Sequence, residues 1–273
     1  MQISDTHVGA KVNRPVHERL AAAVILINAL KPAFVIDTGD VATHPVYEAN
    51  ERNLAELEEY KQYVSKLKRP LYVVPGNHDI GYFDPGDTTW GDDNPWGTYK
   101  ELAAAFKRTI GPLDQSFRWE DVRFVLLNNN PGITHGPGML SPEQLRWIEA
   151  ELEQGELTFI FCHVEVLENG VGAVWGESSK ALTALCEKYG VPAVAYGHKH
   201  RTHVAPLNGT QYIMCPSLKV PGQQGILQWR IFRGRFELWL YDVFSGDGER
   251  LGRYPYPKRD VLPRVWDMVM ETE

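Results

Sequence analysis

The chain has 273 residues, of which 43% are hydrophobic and 23% charged, a balance typical of a soluble globular protein large enough to bury a substantial core. Its formal net charge of −7 gives no general attraction for nucleic acid or an anionic membrane, so we expect neither as a partner. Neither a bilayer-spanning apolar run nor a Cys-x-x-Cys pair occurs, which argues against a membrane protein and against a structural zinc site.

The first predicted strand ends almost where the chain begins. Ile3 is the last apolar residue before Ser4 and Asp5, so a buried strand there has very little length. We therefore expect a few further residues before Met1 in the native protein. The start shows no signal-peptide pattern, which favours a cytoplasmic protein.

Residues 15–75 alternate between helical and strand-like patterns. Pro15 suits a first helical turn, and apolar residues follow it at helical spacing. Residues 33–36 predict a strand, residues 46–67 an amphipathic helix and residues 71–74 a further strand. Strands that alternate with helices in this way indicate parallel pairing through right-handed crossovers.

Residues 80–97 show no periodicity and combine Gly, Asp and Pro with aromatic side chains. Long ordered loops of this kind are uncommon unless they are functional, so we interpret the segment as an insertion near the mouth of a site. The other predicted elements are a helix at about 98–109, strands near 115–119 and 122–128, a helix from Ser141, a strand at 157–162, a helix at 178–189, a strand at 193–196 and antiparallel strands over 203–243. No repeat or linker interrupts this order, which favours one domain over residues 1–273.

Metal-capable side chains are concentrated in five short pieces of the sequence, each at or just after an apolar strand-like run. The pieces are Asp5-Thr6-His7, Gly39-Asp40, Gly76-Asn77-His78-Asp79, His163 and Gly197-His198-Lys199-His200. In an open α/β sheet the carboxyl ends of the strands line one crevice. Pieces that are far apart in the chain are therefore expected to converge there.

The donor atoms in these pieces indicate the kind of metal. In extended backbone, residues i and i+2 point to the same side, so Asp5 and His7 are expected to face the site as a pair. The same holds for His198 and His200. Imidazole nitrogen mixed with carboxylate and amide oxygen suits manganese, iron or zinc better than calcium or magnesium.

The five pieces, in this order, resemble the motifs of the calcineurin-like metallophosphoesterase superfamily, which are Asp-x-His, Gly-Asp, Gly-Asn-His-Asp/Glu, a lone His and Gly-His-x-His. They span residues 5–200, about three quarters of the chain. Gly-Asp alone carries no weight, whereas Gly-Asn-His-Asp and Gly-His-x-His are specific when they occur in order after strands. The resemblance implies an α/β fold, a four-layer αββα sandwich with two mixed β-sheets.

The resemblance also implies a role for each matching residue. A first metal ion would be bound by Asp5, His7, Asp40 and His200. Asp40 would bridge to a second ion, bound also by Asn77, His163 and His198. His78 would not bind metal but would donate a proton to the leaving alkoxide or steady the phosphate. The two divalent or trivalent ions would hold a bridging hydroxide that attacks the phosphate ester.

One position departs from part of the superfamily. Some of its phosphatases carry an Asp three residues after Gly-Asp that steadies the catalytic His, whereas this chain has Thr43 there. The pattern is closer to the branch of cyclic-nucleotide phosphodiesterases and related enzymes with small substrates. Asp37 and Asp79 are carboxylates that could support the histidines from behind, and each could equally be a turn residue.

The function implied by the resemblance is metal-dependent hydrolysis of a phosphomonoester or a phosphodiester of a small substrate. The residues do not distinguish the two. One alternative is a nuclease, which the acidic charge and the lack of basic runs disfavour. Another is a non-catalytic scaffold, which the complete ligand set and the retained His78 disfavour. The oligomeric state stays open.

Overall fold

A computed structural model describes residues 1–9, 14–43, 50–81, 99–130, 140–168, 174, 176–220, 222 and 224–257. In chain order the strands are β1 (Gln2–Ile3), β2 (Val35–Asp37), β3 (Leu71–Val73), β4 (Gln115–Trp119), β5 (Val122–Leu126), β6 (Leu157–Phe161), β7 (Ala193–Tyr196), β8 (His203–Leu207), β9 (Thr210–Met214), β10 (Gly225–Phe232), β11 (Arg235–Asp242) and β12 (Gly248–Pro255). The helices are α1 (Arg14–Leu30), α2 (Asn50–Val64), α3 (Asn77–Ile80), α4 (Tyr99–Thr109), α5 (Pro142–Leu152) and α6 (Gly176–Tyr189). Within these described ranges, no helix combines the length and the apolar character that crossing a bilayer requires.

The first sheet has the strand order β12-β11-β10-β1-β2-β3. Its strands β1, β2 and β3 are parallel, which confirms the pairing predicted from the alternation of helices and strands. Strand β10 pairs antiparallel with β1, and β11 and β12 continue the sheet as an antiparallel meander. Ile3 is paired with Asp37, so β1 and β2 end at the same level.

The second sheet has the strand order β4-β5-β6-β7-β9-β8. Strands β5, β6, β7 and β9 are parallel, and β4 and β8 are antiparallel edge strands. The hairpin between β8 and β9 turns at Asn208 and Gly209, whose φ angles of 48° and 85° suit a two-residue hairpin turn. Both sheets are therefore mixed, as predicted.

Three apolar clusters show how the layers pack. One joins α1, α2 and α4 to the first sheet, and another joins α5 and α6 to the second sheet. The third lies between the sheets and is rich in aromatic side chains, including Phe34, Phe124, Phe159 and Phe236. Helices cover the outer faces of two packed sheets, so the prediction of an αββα sandwich is confirmed.

Two elements were not anticipated from the sequence. The Gly-Asn-His-Asp piece forms the single turn α3, in which Asp79 accepts a hydrogen bond from Gly76 N at 2.8 Å. Strand β12 lies at the edge of its sheet and is largely exposed, so it has no apolar alternation to reveal it. The insertion predicted at 80–97 falls outside the described residues from residue 82 onward.

Candidate metal centre

The residues predicted as ligands lie at one end of the sandwich. The loops after β1, β2, β3, β6 and β7 carry, in that order, Asp5 and His7, Asp40, Asn77 and His78, His163, and His198 and His200. These strands are parallel neighbours within their sheets, so their carboxyl ends meet at a common edge. Both sheets therefore contribute side chains to one site.

Four side chains bring their ligand atoms to within 4.8 Å of one another, namely Asp5, His7, Asp40 and His200. His200 Nε2 lies 3.2 Å from Asp5 Oδ1 and 3.3 Å from His7 Nε2. His7 Nε2 lies 3.6 Å from Asp40 Oδ2. We name this group the first metal position.

A second group shares Asp40 with the first. Asp40, His163 and His198 also have ligand atoms within 4.8 Å of one another. His163 Nε2 lies 3.2 Å from Asp40 Oδ2 and 3.1 Å from Asn77 Oδ1. We name Asp40, Asn77, His163 and His198 the second metal position. The structure thus brings together every residue that was predicted as a ligand.

Turns beyond the strand ends aim these side chains. Asp5, His7, Asp40, His198 and His200 have φ angles of 51°, 46°, 56°, 71° and 57°. This left-handed backbone is uncommon outside glycine and costs about 1–3 kcal/mol per residue. Asp5 N and His7 N stabilise it by donating to the loop after β2 at 2.8 Å each. Asp5 and His7 face the site together, as do His198 and His200, as predicted. The prediction assumed extended backbone, however, and the left-handed backbone of these turns is what directs the side chains.

Two motif glycines let the main chain pass close to the carboxylates. A Cβ on Gly76 would overlap Asp40 Oδ1, and a Cβ on Gly197 would collide with Asp5 Oδ2. The amide that follows Gly197, His198 N, donates to Asp5 Oδ2 at 3.0 Å. A larger residue at either glycine would therefore displace a carboxylate of the site.

Both carboxylates are held in their ionised form. Burial opposes the charge of Asp5, but the hydrogen bond with His200 and the charge of His163 outweigh burial and lower the pKa of Asp5 below its ordinary value. Burial also opposes the charge of Asp40, and again His163 outweighs it, so the pKa of Asp40 lies well below its ordinary value. Two buried anions side by side form an environment that a cation stabilises.

The imidazoles differ in charge. Burial lowers the pKa of His7 to about 3, and burial together with His163 lowers the pKa of His198 to about 4. Burial opposes the charge of His163 as well, but Asp40 outweighs it and raises the pKa of His163 to about 10. His163 Nδ1 donates to Thr38 O at 2.7 Å, so Nε2 is the nitrogen that faces Asp40. A metal ion that binds there has to displace the Nε2 proton.

The donor atoms fit cations. His7 Nε2 and His200 Nε2 face each other, and carboxylate oxygens of Asp5 and Asp40 lie between 3.2 and 3.9 Å from them. Carboxylate oxygens that converge in a buried space are stabilised by a positive charge. Nitrogen and carboxylate oxygen are ordinary ligands of transition metals and zinc. Two such positions with one shared carboxylate fit a dinuclear metal site.

His78 lies beside the first metal position and is oriented by the main chain. Its Nδ1 is 2.8 Å from Thr43 O, and Nδ1 must carry the proton because a carbonyl only accepts. Its ring centroid is 4.8 Å from that of His7 in an edge-to-face arrangement, and its amide N donates to Asp40 Oδ1 at 2.7 Å. Among the described residues, His78 belongs to neither ligand group.

Asp37 and Asp79 support the loops of the site. Asp79 accepts from Ala42 N and from Gly76 N at 2.8 Å each. Asp37 accepts from Gly39 N at 3.0 Å and from Tyr60 Oη at 2.7 Å. Burial raises the pKa of Asp37 to about 7, and the hydrogen bond from Tyr60 offsets part of that effect. Burial and a neighbouring carboxylate raise the pKa of Asp79 well above its ordinary value. Each carboxyl thus fixes backbone that carries proposed ligands.

Glu165 is a residue of the site that the sequence analysis missed. It is 2% exposed, and its carboxylate lies 3.1 Å from Lys199 Nζ and 3.8 Å from His198 Nε2. Its place two residues after His163 is a weak signal, because a lone glutamate in a loop is normally solvated. The carboxylate of Glu165 therefore lies next to His198, which belongs to the second metal position.

Comparisons with known proteins agree with this geometry. Residues 1–202 match the family model of calcineurin-like phosphoesterases. The chain is 29% identical over 220 residues to a protein of Arcobacter nitrofigilis named as a probable glycerophosphodiester phosphodiesterase, GpdQ, covering 74% of this chain and 71% of the relative. It is 25% identical over 232 residues to the glycerophosphodiester phosphodiesterase GpdQ of Enterobacter lignolyticus, covering 77% of this chain and 72% of the relative.

Among solved structures, a dimetal phosphatase from Danio rerio has a similar fold. The two superpose with a TM-score of 0.67, over 94% of this chain and 98% of the other, at 16% sequence identity. At that identity the likeness concerns the layered architecture.

Proposed function

We propose that this chain, which belongs to the calcineurin-like phosphoesterase family, hydrolyses small phosphodiesters with two metal ions held by the residues described above. The chain is a phosphoric ester hydrolase, in keeping with its family and its two curated relatives. Both relatives are named for the hydrolysis of glycerophosphodiesters, which supports a diester of a small alcohol as the substrate.

The observation that carries the proposal is the shared carboxylate, Asp40. Its Oδ2 lies 3.6 Å from His7 Nε2 and 3.2 Å from His163 Nε2, one imidazole from each metal position. Two cations about 3.5–4 Å apart repel each other unless a shared anion screens them. A carboxylate between two sets of ligands is therefore what distinguishes a two-metal site from two separate sites.

The proposed ligands favour particular metals. The first ion is assigned to Asp5, His7, Asp40 and His200, and the second ion to Asp40, Asn77, His163 and His198. Mixed nitrogen and oxygen ligands favour manganese, iron or zinc over calcium or magnesium. When bound, two such ions lower the pKa of a shared water and orient the phosphate for in-line displacement.

His78 is proposed to supply the proton that the leaving alkoxide needs. Thr43 O accepts from His78 Nδ1 at 2.8 Å, which fixes the plane of the ring beside the first metal position. Nε2 is then the ring atom that would give its proton to the alkoxide, a transfer that starts from the imidazolium form and leaves a neutral ring with its proton on Nδ1. General acid catalysis of this kind contributes about 10²–10⁴-fold to a rate.

The test uses metal-stripped protein to which manganese, zinc or iron is restored. Bis-p-nitrophenyl phosphate, p-nitrophenyl phosphate and a glycerophosphodiester serve as substrates. We expect metal-dependent hydrolysis, with kcat/KM for the diesters at least about tenfold above that for the monoester, a difference of about 1.4 kcal/mol.

Two histidine variants accompany this test. His78→Ala is expected to lower kcat about 100-fold, and His17→Ala, which removes a histidine paired with Glu59 on the helical surface, is expected to leave it unchanged. Preference for the monoester would overturn the diester assignment. Two bound ions without hydrolysis of any of the three substrates would overturn the proposed function.

A further inference from the structure

Glu56 in α2 is buried beneath the loops that carry the site. It is 3% exposed, although glutamate is normally a surface residue. Its Oε2 accepts a hydrogen bond from Thr43 N at 2.7 Å. A buried carboxylate is costly unless hydrogen bonds compensate it, so the position of Glu56 requires an explanation.

Thr43 joins Glu56 to His78 through the main chain of a single residue. Its amide donates to Glu56, and its carbonyl accepts from His78 Nδ1 at 2.8 Å. Its hydroxyl donates to His7 O at 2.7 Å. Three hydrogen bonds thus fix Thr43 from three directions. The direction of the carbonyl that orients His78 therefore depends on Glu56.

Gly9 shows how closely Glu56 fits between two loops. A Cβ on Gly9 would overlap the Glu56 carboxyl, and Gly9 has a φ of 133°, which residues with a side chain rarely adopt. The loop after β1 pairs with the loop after β2 through Val8 and Ala42. Glu56 lies where these two loops meet, so its carboxylate can set the position of Thr43.

We propose that Glu56 is a positioning residue for His78. Its carboxylate fixes the main chain of Thr43, and Thr43 O in turn holds the imidazole in one orientation with the proton on Nδ1. Carboxylates in other sites orient a histidine by direct contact, whereas here the support acts through one backbone residue. The inference rests on the proposed role of His78.

Substitutions at Glu56 separate the hydrogen-bond acceptor from its charge. Glu56→Ala removes the acceptor and is expected to lower kcat for the diester about 10- to 100-fold, because a small misplacement of a catalytic group has an effect of that size. KM is expected to change less than about twofold, since the substitution leaves unchanged the contacts that bind the substrate and the transition state equally. Glu56→Gln keeps an oxygen that accepts from Thr43 N, so we expect it to retain kcat within about threefold.

Glu59→Ala is the matched control on the same helix. Glu59 is 37% exposed and pairs with His17 at 3.2 Å. We expect this variant to have the kcat, the KM and the metal content of the parent protein. Every variant is expected to bind two ions per chain, because Glu56 is not among the proposed ligands, which all remain in place.

Nuclear magnetic resonance of zinc-loaded protein with ¹⁵N-labelled histidine tests the inference without turnover. The His78 signals are assigned by their loss in His78→Ala. In the parent protein and in Glu56→Gln we expect an Nδ1–H proton that is protected from exchange with water by Thr43 O. In Glu56→Ala we expect this proton to exchange rapidly and its signal to broaden.

Three results would overturn the inference. One is a Glu56→Ala variant with parental kcat and a protected Nδ1–H proton. Another is a Glu56→Gln variant as impaired as Glu56→Ala, since the acceptor would then not be what matters. The third is loss of a metal ion from Glu56→Ala, which would place the effect at the ligands. A parent protein with the protected proton but without diesterase activity would refute the proposed function and support the positioning of His78.

Discussion

The two proposed metal positions share Asp40 but differ in the charge of their other ligands. Apart from Asp40, the first position has a carboxylate, Asp5, and two imidazoles, whereas the second has an amide, Asn77, and two imidazoles. The affinity of such sites for cations rises with the charge of the ligands. The first position is therefore expected to bind its ion more tightly than the second.

The two positions do not differ in their exposure to solvent, so exposure gives no reason to expect different affinities. Each position has one partly exposed histidine from the loop after β7, and the side chains of His200 and His198 are 25% and 21% exposed. The other histidines, His7 and His163, are fully buried. We therefore expect ligand charge, rather than access, to set the order in which the two ions bind and leave.

The substitution Asp40→Asn is expected to have the largest effect, because it changes a ligand that both metal positions share. We expect both ions to be lost and kcat to fall by at least about a thousandfold. Bound metal contributes several kcal/mol to the stabilisation of the transition state, and about 1.4 kcal/mol is tenfold in rate. Elemental analysis and diester turnover check this, with Asp121→Asn in the exposed turn after β4 as the control. Two ions retained in Asp40→Asn would contradict the bridging role.

The substitution Asp5→Asn changes the ligands of the first position alone. It removes the negative charge that distinguishes this position, so we expect its affinity to fall by more than the roughly 10- to 100-fold that substitutions behind a metal ligand cause. The second position keeps all its ligands and should then bind the tighter ion. Calorimetric titration of metal-stripped protein measures both steps. An unchanged first step would show that Asp5 is not a ligand.

The substitution Asn77→Asp is expected to reduce the difference in affinity between the two positions. It gives the second position a negative charge in place of an amide, and we expect the second ion to bind about tenfold more tightly, because one more charged ligand strengthens a cation site. The same titration should show the two steps closer together. If the second step does not move, Asn77 does not bind the second ion.

The smallest expected effect is that of Glu165→Gln. This change removes the charge that lies 3.8 Å from His198 Nε2, a distance too long for a hydrogen bond. We expect the second position to weaken only a few-fold, below the roughly 10- to 100-fold of hydrogen-bonded partners, and the first position to stay unchanged. Glu168→Gln, an exposed glutamate three residues further on, is the control. Equal weakening of both positions would mean that Glu165 supports the whole site.

The proposed ligands were predictable from the sequence because each lies in a short motif at the end of a strand. Gly-Asn-His-Asp and Gly-His-x-His are local patterns, and the rule that ligands gather at the carboxyl ends of parallel strands supplied their convergence. The same alternation of helices and strands predicted the parallel part of the first sheet. The ligand roles, the function and the αββα sandwich were implied by the resemblance of these motifs to a known family, and the topology rule explains why the motifs converge.

The supporting residues were not predictable, because their roles arise from contacts between distant parts of the chain. Glu56 accepts from Thr43 across a loop, and Glu165 pairs with Lys199 from a different strand end. Nothing in the residues beside either glutamate marks it as buried. The left-handed backbone at Asp5 and His7 is likewise fixed by hydrogen bonds to the loop after β2, which no short pattern reveals.

The most direct test of the two-metal account relates activity to the number of bound ions. Metal-stripped protein is equilibrated with increasing manganese, and diester hydrolysis and bound metal are measured on the same samples. We predict little activity until the first position is filled, then a rise that follows the second ion to a plateau at two ions per chain. Full activity with one ion per chain would contradict the account, because a single ion would then suffice for the chemistry.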